Sequence, residues 1–175
     1  MSEDRLESAL LVPVPEAEPS VRRHRLRHDS IALRGVPAHI TVLYPFVPPD
    51  GITDETAESV REVLAPFRAF SFRLSRLERF PEGALYLAPD PAEPFVRLTG
   101  AFGARFPDYR PYGGIHAEVI PHLTVAHDPD APVAELADIR DHLPITCRAR
   151  EIWLMCEDAD HRWRSRSTFP LVDGV

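Results

Sequence analysis

Apolar residues recur at alternate positions in several short runs of this chain, the period of a strand with one buried face. Residues 8–14 read as a strand, stopped by Pro13 and Pro15. Residues 38–46 and 121–127 form two more apolar runs of strand type. The stretch 70–75 (Phe-Ser-Phe-Arg-Leu-Ser) alternates cleanly, and 83–88 is its expected partner. Two long strands, 145–156 and 162–171, close the chain. Between these lie helical patterns. Residues 19–28 read as a basic helix, and 54–65 as a helix capped by Thr53 or Asp54 with Val60, Val63 and Leu64 inward. Residues 93–106 read as a helix ending before Pro107, and 132–142 as a short one. Residues 107–114 (Pro-Asp-Tyr-Arg-Pro-Tyr-Gly-Gly) form a turn-rich loop.

The order of these elements repeats. Each of the strands 38–46 and 121–127 is followed by a proline-bearing loop, a helix and then a pair of strands. A duplicated, pseudo-symmetric sheet protein reads this way. Identity between the halves is confined to one short pattern, His39-Ile40-Thr41-Val42 and His122-Leu123-Thr124-Val125. On a strand, each His stands beside its Thr on one face, while Ile40, Val42, Leu123 and Val125 point into a core. Two histidines are the simplest acid–base pair near neutral pH, and a hydroxyl beside each can hold a phosphoryl oxygen. Spacing alone also admits two ordinary strands that each carry a polar face.

Composition narrows the class. The chain has 175 residues, 44% hydrophobic and 27% charged, as in a globular protein built as one domain. The apolar run at 9–12 is far too short to span a membrane, and the acidic residues Glu3, Asp4 and Glu7 precede it where a signal peptide would be basic. A cytoplasmic protein without membrane contact is expected. Cys147 and Cys156 lack metal-site spacing and are expected as free thiols unless the strands set them side by side. The net charge of −7 is opposite to that of a general nucleic-acid binder. Arginines do cluster, at 22, 23, 25 and 27 and again at 162, 164 and 166. A solvated face and a phosphate-attracting rim are both open readings of these clusters.

The run Gly35-Val36-Pro37-Ala38-His39-Ile40-Thr41-Val42-Leu43-Tyr44-Pro45-Phe46, with Pro121-His122-Leu123-Thr124-Val125-Ala126, resembles the 2H phosphoesterase superfamily, most closely its 2'-5' RNA ligase-like branch. The resemblance implies an α+β fold in which two pseudo-symmetric lobes of antiparallel sheet, with outer helices, meet at a central groove. It implies a single two-lobed unit over 1–175 with His39 and His122 as catalytic residues and Thr41 and Thr124 as phosphate ligands. It also implies metal-independent cleavage of 2',3'-cyclic phosphate or 2'-5' phosphodiester linkages in nucleotides or RNA ends, with no cofactor and no obligate protein partner, in a monomer. The acidic charge departs from what a tRNA-sized substrate favours and points to a small or terminal phosphodiester. A non-catalytic binder of nucleotides or RNA ends, and a 2'-5' RNA ligase on the same scaffold, are the alternatives.

In such a site one His takes a proton from water and the other protonates the departing ribose oxygen, while the threonines donate to the non-bridging oxygens. Sequence does not say which His is the base. Tyr44, Phe46, Arg110 and Tyr112 are candidate substrate contacts, with Tyr109 beside them. His116 and His127 flank the second motif, and strand parity turns His127 away from the site. His24, His28, His142 and His161 are expected at the surface. No His-x-His or His-x₃-His array with carboxylates occurs in the motif segments, so no metal site is expected.

Overall fold

The computed structural model describes residues 5–115 and 118–174, which leaves His116, Glu3 and Asp4 outside the described residues. Among the described residues, eight strands form two antiparallel four-stranded sheets. In the first, β2 (His39–Leu43) pairs with β1 (Ser8–Pro13), β1 with β7 (Glu151–Glu157), and β7 with β8 (Trp163–Pro170). In the second, β5 (Leu123–Ala126) pairs with β4 (Leu85–Asp90), β4 with β3 (Phe70–Arg79), and β3 with β6 (Ile145–Ala149). Each motif strand therefore lies at the edge of its sheet.

The segment 145–156 is two strands, not the expected one. The chain changes sheets at Arg150, so β6 belongs to the second sheet and β7 to the first. The cause is a phase slip in the apolar pattern. Cys147 and Ala149 are buried at odd positions, then Ile152 and Leu154 at even ones. A continuous strand cannot bury both sets on one face. The remaining expected elements form, with ends shifted by a few residues. The second motif strand begins at Leu123, so His122 sits just before it, after Pro121.

The helices are α1 (Glu18–His28), α2 (Ser30–Leu33), α3 (Asp54–Leu64), α4 (Glu93–Arg105) and α5 (Ala137–Asp141). Thr53 caps α3 in a reciprocal box with Thr56: each side chain takes the other residue's backbone N–H, at 3.3 and 3.1 Å. The two long helices of the pseudo-repeat pack crosswise. Helix α1 contacts β5 and α4 contacts β2, so each backs the motif strand of the other half. Thr99 on α4 donates to the Val42 carbonyl at 3.0 Å, and the His127 N–H donates to the His28 carbonyl at 2.8 Å. One apolar core runs through both sheets, from Leu10, Val12 and Ile40 to Leu87, Leu123 and Val125.

Helix α1 is less of a surface helix than its sequence suggests. His24 and Arg25 are buried. His24 Nε2 bonds Asp138 at 2.9 Å, and the nearly covered His28 lies 3.5 Å from Glu135. Neither is the expected surface histidine, because α5 and the segment before it close over this face of α1. His142 and His161 are exposed. Arg25 forms a buried ion pair with Asp29 at 2.9 Å and donates to the Val36 carbonyl at 3.1 Å. Arg162, Arg164 and Arg166 are exposed and hold neighbouring turns. They bond the Leu33 carbonyl, Asp158, and the Pro49 and Ile52 carbonyls respectively. Cys147 and Cys156 lie in different sheets as free thiols. Among the described residues no helix is long and apolar enough to cross a membrane.

Candidate active site

The period-two pattern of each motif is realised. Ile40, Val42, Leu123 and Val125 are buried, while His39, Thr41, His122 and Thr124 are only half-covered. Strand β2 uses one edge to pair with β1, and β5 uses one to pair with β4. The two motif strands then contact each other. This apposition of sheet edges brings the two motifs of distant chain segments close enough for His122 to act electrostatically on His39, although His39 and Thr41 do not line the cavity that His122 and Thr124 line.

The two histidines are held alike. His39 Nδ1 donates to the carbonyl of Pro37 at 2.7 Å, and His122 Nδ1 donates to that of Ile120 at 2.6 Å. In both cases the acceptor lies two residues upstream. A carbonyl can only accept, so the proton of a neutral ring is fixed on Nδ1 and Nε2 is left as its basic atom. Burial pushes the His39 pKa down to about 3, and the positive charge of Arg25 behind it adds to the shift. The Pro37 hydrogen bond opposes this, and the charges of His122 and His127 reinforce it. His39 is thus neutral at physiological pH and electrostatically aware of His122.

A cavity of about 440 Å³ opens beside His122 and Thr124. Tyr112 lines it from the turn Pro111–Gly114. Its hydroxyl lies close enough to the Thr41 side chain for Thr41 to lower its pKa, against the burial that raises it, and its ring lies within 24° of parallel to that of His122, centroids 6.4 Å apart. Tyr112 therefore touches both motifs. His127 also lines the cavity, contrary to the parity argument. That argument assumed a regular strand through 127, whereas β5 ends at Ala126 and the His127 N–H turns to α1.

The other candidate contacts do not reach the cavity. Phe46 is core: it is buried, edge-on to Phe106 at 4.9 Å and to Tyr109 at 5.8 Å. Tyr44 stands behind Tyr112 and donates its hydroxyl to Glu7 at 2.6 Å, and burial with that carboxylate raises its pKa. Arg110 is exposed and folds along Gly114. Conversely, sequence reading missed Phe80, which stacks on Tyr86 at 4.0 Å and meets the His122 ring edge-on at 4.9 Å. Its only signal was its place before the Pro81-Glu82-Gly83 hairpin turn. Among the described residues no three His, Cys, Asp or Glu side chains gather in a metal-holding arrangement.

Comparison with known proteins bears on this geometry. Among curated protein sequences none matches. Solved structures do. TT0787 of Thermus thermophilus superposes with a TM-score of 0.62 at 19% identity, covering 97% of this chain and 100% of that one. Escherichia coli LigT complexed with NADP+ gives 0.61 at 15% identity, over 98% of this chain and 100% of that one. LigT complexed with 3'-AMP gives 0.58 at 15%, over 97% and 99%. At these identities the likeness is one of fold. The family model of the 2'-5' RNA ligase superfamily matches residues 13–161, most of the chain and both His-x-Thr motifs, and the chain belongs to that superfamily.

Proposed function

We propose that the protein is a metal-independent phosphodiesterase that opens 2',3'-cyclic phosphates or 2'-5' linkages in nucleotides or RNA ends by two-histidine acid–base catalysis. The observation that carries this reading is the matched pair of Nδ1 hydrogen bonds, which leaves an Nε2 atom free of that anchor on each of two motifs whose strands contact each other. His39, neutral at physiological pH, takes the proton of the attacking water. Water oxygen bonds to phosphorus, the bond to a ribose oxygen breaks, and protonated His122 gives its Nε2 proton to that leaving oxygen. The product is a phosphate monoester. Thr41 and Thr124 donate to the non-bridging oxygens, whose charge must be held through the transition state.

The reading places this chemistry in one two-lobed unit acting as a cytoplasmic monomer, with a nucleotide or RNA terminus as its partner. The binding of 3'-AMP and NADP+ by the LigT relative is consistent with a nucleotide-sized ligand. Ligation on the same scaffold replaces the attacking water with a ribose hydroxyl of a second strand, but the net charge of −7 weighs against a polynucleotide substrate. The test is a screen of 2',3'-cyclic nucleotides, 2'-5' dinucleotides and cyclic-phosphate-ended oligonucleotides, with product identification. Monoester product is expected at a rate that EDTA leaves unchanged. Loss of turnover in EDTA with rescue by zinc or magnesium would show that the mechanism is wrong, and binding without turnover would make the protein a nucleotide-binding module.

A further inference from the structure

Tyr112 has a backbone that a tyrosine rarely adopts. Its φ is 51° and ψ 36°, in the left-handed region, and Gly113 and Gly114 continue at positive φ. The two glycines take this conformation at no steric cost, but a tyrosine does not. Such outliers persist where surrounding contacts over-determine them, and they concentrate at functional sites. Here the contacts are explicit. The Tyr112 N–H donates to the Tyr44 carbonyl at 2.6 Å, and the Ile115 N–H returns to the Tyr112 carbonyl at 3.2 Å. The ring rests edge-on against Tyr44 and faces His122. All of this holds Tyr112 in the wall of the cavity that His122 and Thr124 also line, with its phenolic hydroxyl near Thr41.

We propose that the Tyr112 hydroxyl is a third donor of the phosphate cradle, paired with Thr41 before substrate binds and turned to a non-bridging phosphoryl oxygen when it enters. This rests on the phosphodiesterase reading of the same groove and deepens it. Two neutral hydroxyls that hold each other add no buried charge to the groove. A phosphoryl oxygen arriving between them meets two donors already in place, the preorganisation that favours developing negative charge. Burial raises the Tyr112 pKa, so the phenol keeps its proton across the working range. The same placement makes Tyr112 a poor platform for a nucleobase, since its ring is held between Tyr44 and His122.

The test compares wild type with Tyr112→Phe, which keeps the ring, and with Thr41→Val, which keeps the shape of Thr41. Folding is checked by circular dichroism, and turnover is followed on 2',3'-cyclic AMP and on the two diastereomers of its phosphorothioate. Affinity for 3'-AMP is measured separately. Tyr112→Phe is expected to lose on the order of 10² in kcat and about tenfold in 3'-AMP affinity. It should flatten the preference between the phosphorothioate diastereomers, which a purely structural role would not move. The double variant with Thr41→Val should lose little more than either single one, because both hydroxyls serve one oxygen. A folded Tyr112→Phe with wild-type kcat and 3'-AMP affinity would overturn the cradle while wild-type turnover leaves the phosphodiesterase standing. So would a faster, tighter-binding Tyr112→Phe, which would make the tyrosine an obstruction of Thr41. A wild-type protein that binds 3'-AMP without turnover, with Tyr112→Phe weakening that binding, would remove the phosphodiesterase and keep the cradle. Neither binding nor turnover in wild type would end both.

Discussion

His39 and His122 differ in what stands behind them, although their Nδ1 atoms are anchored alike. Desolvation by burial, and after it the charge of Arg25, push the His39 pKa down to about 3. A general base must be unprotonated, so lowering its pKa widens the range in which it works. The kcat/KM profile of the free protein should therefore keep its acid limb well below the ordinary imidazole value of about 6.5, with an alkaline limb where His122, the proposed acid, loses its proton. An anionic substrate beside His39 favours its protonated form, so the acid limb of kcat should lie at higher pH than that of kcat/KM. A pH series on wild type checks both limbs. An acid limb at the ordinary imidazole value in kcat/KM would take the base role away from His39. His39→Ala and His122→Ala are each expected to cost on the order of 10²–10⁴ in turnover, and Thr41→Ala or Thr124→Ala less. Near-normal turnover in both folded histidine variants would make the residues structural. The four motif residues were legible in sequence because strand parity alone puts each His beside its Thr. Phe46 and His127 were not, because their direction depends on where β2 and β5 stop.

At the level of elements, α1 is tied into the site through Arg25. The Arg25–Asp29 pair is fully buried, Asp29 also accepts the Ile31 N–H at the start of α2, and Arg25 reaches the Val36 carbonyl just ahead of Pro37. Removing one partner strands a buried charge. Arg25→Met is expected to cost roughly 3–5 kcal/mol in chemical denaturation, and adding Asp29→Asn should recover part of that. The same Arg25→Met change removes a positive charge near His39, so the acid limb of kcat/KM should move to higher pH. A limb that stays in place while stability falls would separate the helix's structural role from its electrostatic one. None of this was visible in the sequence, where 19–28 reads only as a basic helix. The burial of Arg25 comes from long-range packing, and local composition carries no record of that. The division of 145–156 between two sheets, by contrast, was written in the chain: the change of apolar parity at Arg150 is a local signal, read over too long a window.

For the whole molecule, charge sets the terms of encounter. All twenty basic residues are arginines, several are committed to internal ion pairs, and the net charge is −7. An anionic substrate approaches against a repulsive field that salt shortens to roughly 8 Å at physiological strength. The rate constant kcat/KM is expected to rise with ionic strength, and to be lower for a cyclic-phosphate-ended oligonucleotide than for a mononucleotide. A fall in kcat/KM with salt would mean that the groove is locally positive and suited to RNA. The global architecture was legible from the repeated order of elements, whereas the crossed sharing of each sheet by both halves of the chain was not, since order along the chain does not say which strand pairs with which. That crossing has a consequence for the integrity of the chain. A protease nick in the turn-rich stretch between Pro107 and Gly114 would leave β1 to β4 on one fragment and β5 to β8 on the other, yet each sheet draws strands from both. The fragments would stay stitched together by backbone ladders, with His39 and His122 on separate polypeptides, and nicked protein would migrate as two bands while still keeping both sheets assembled.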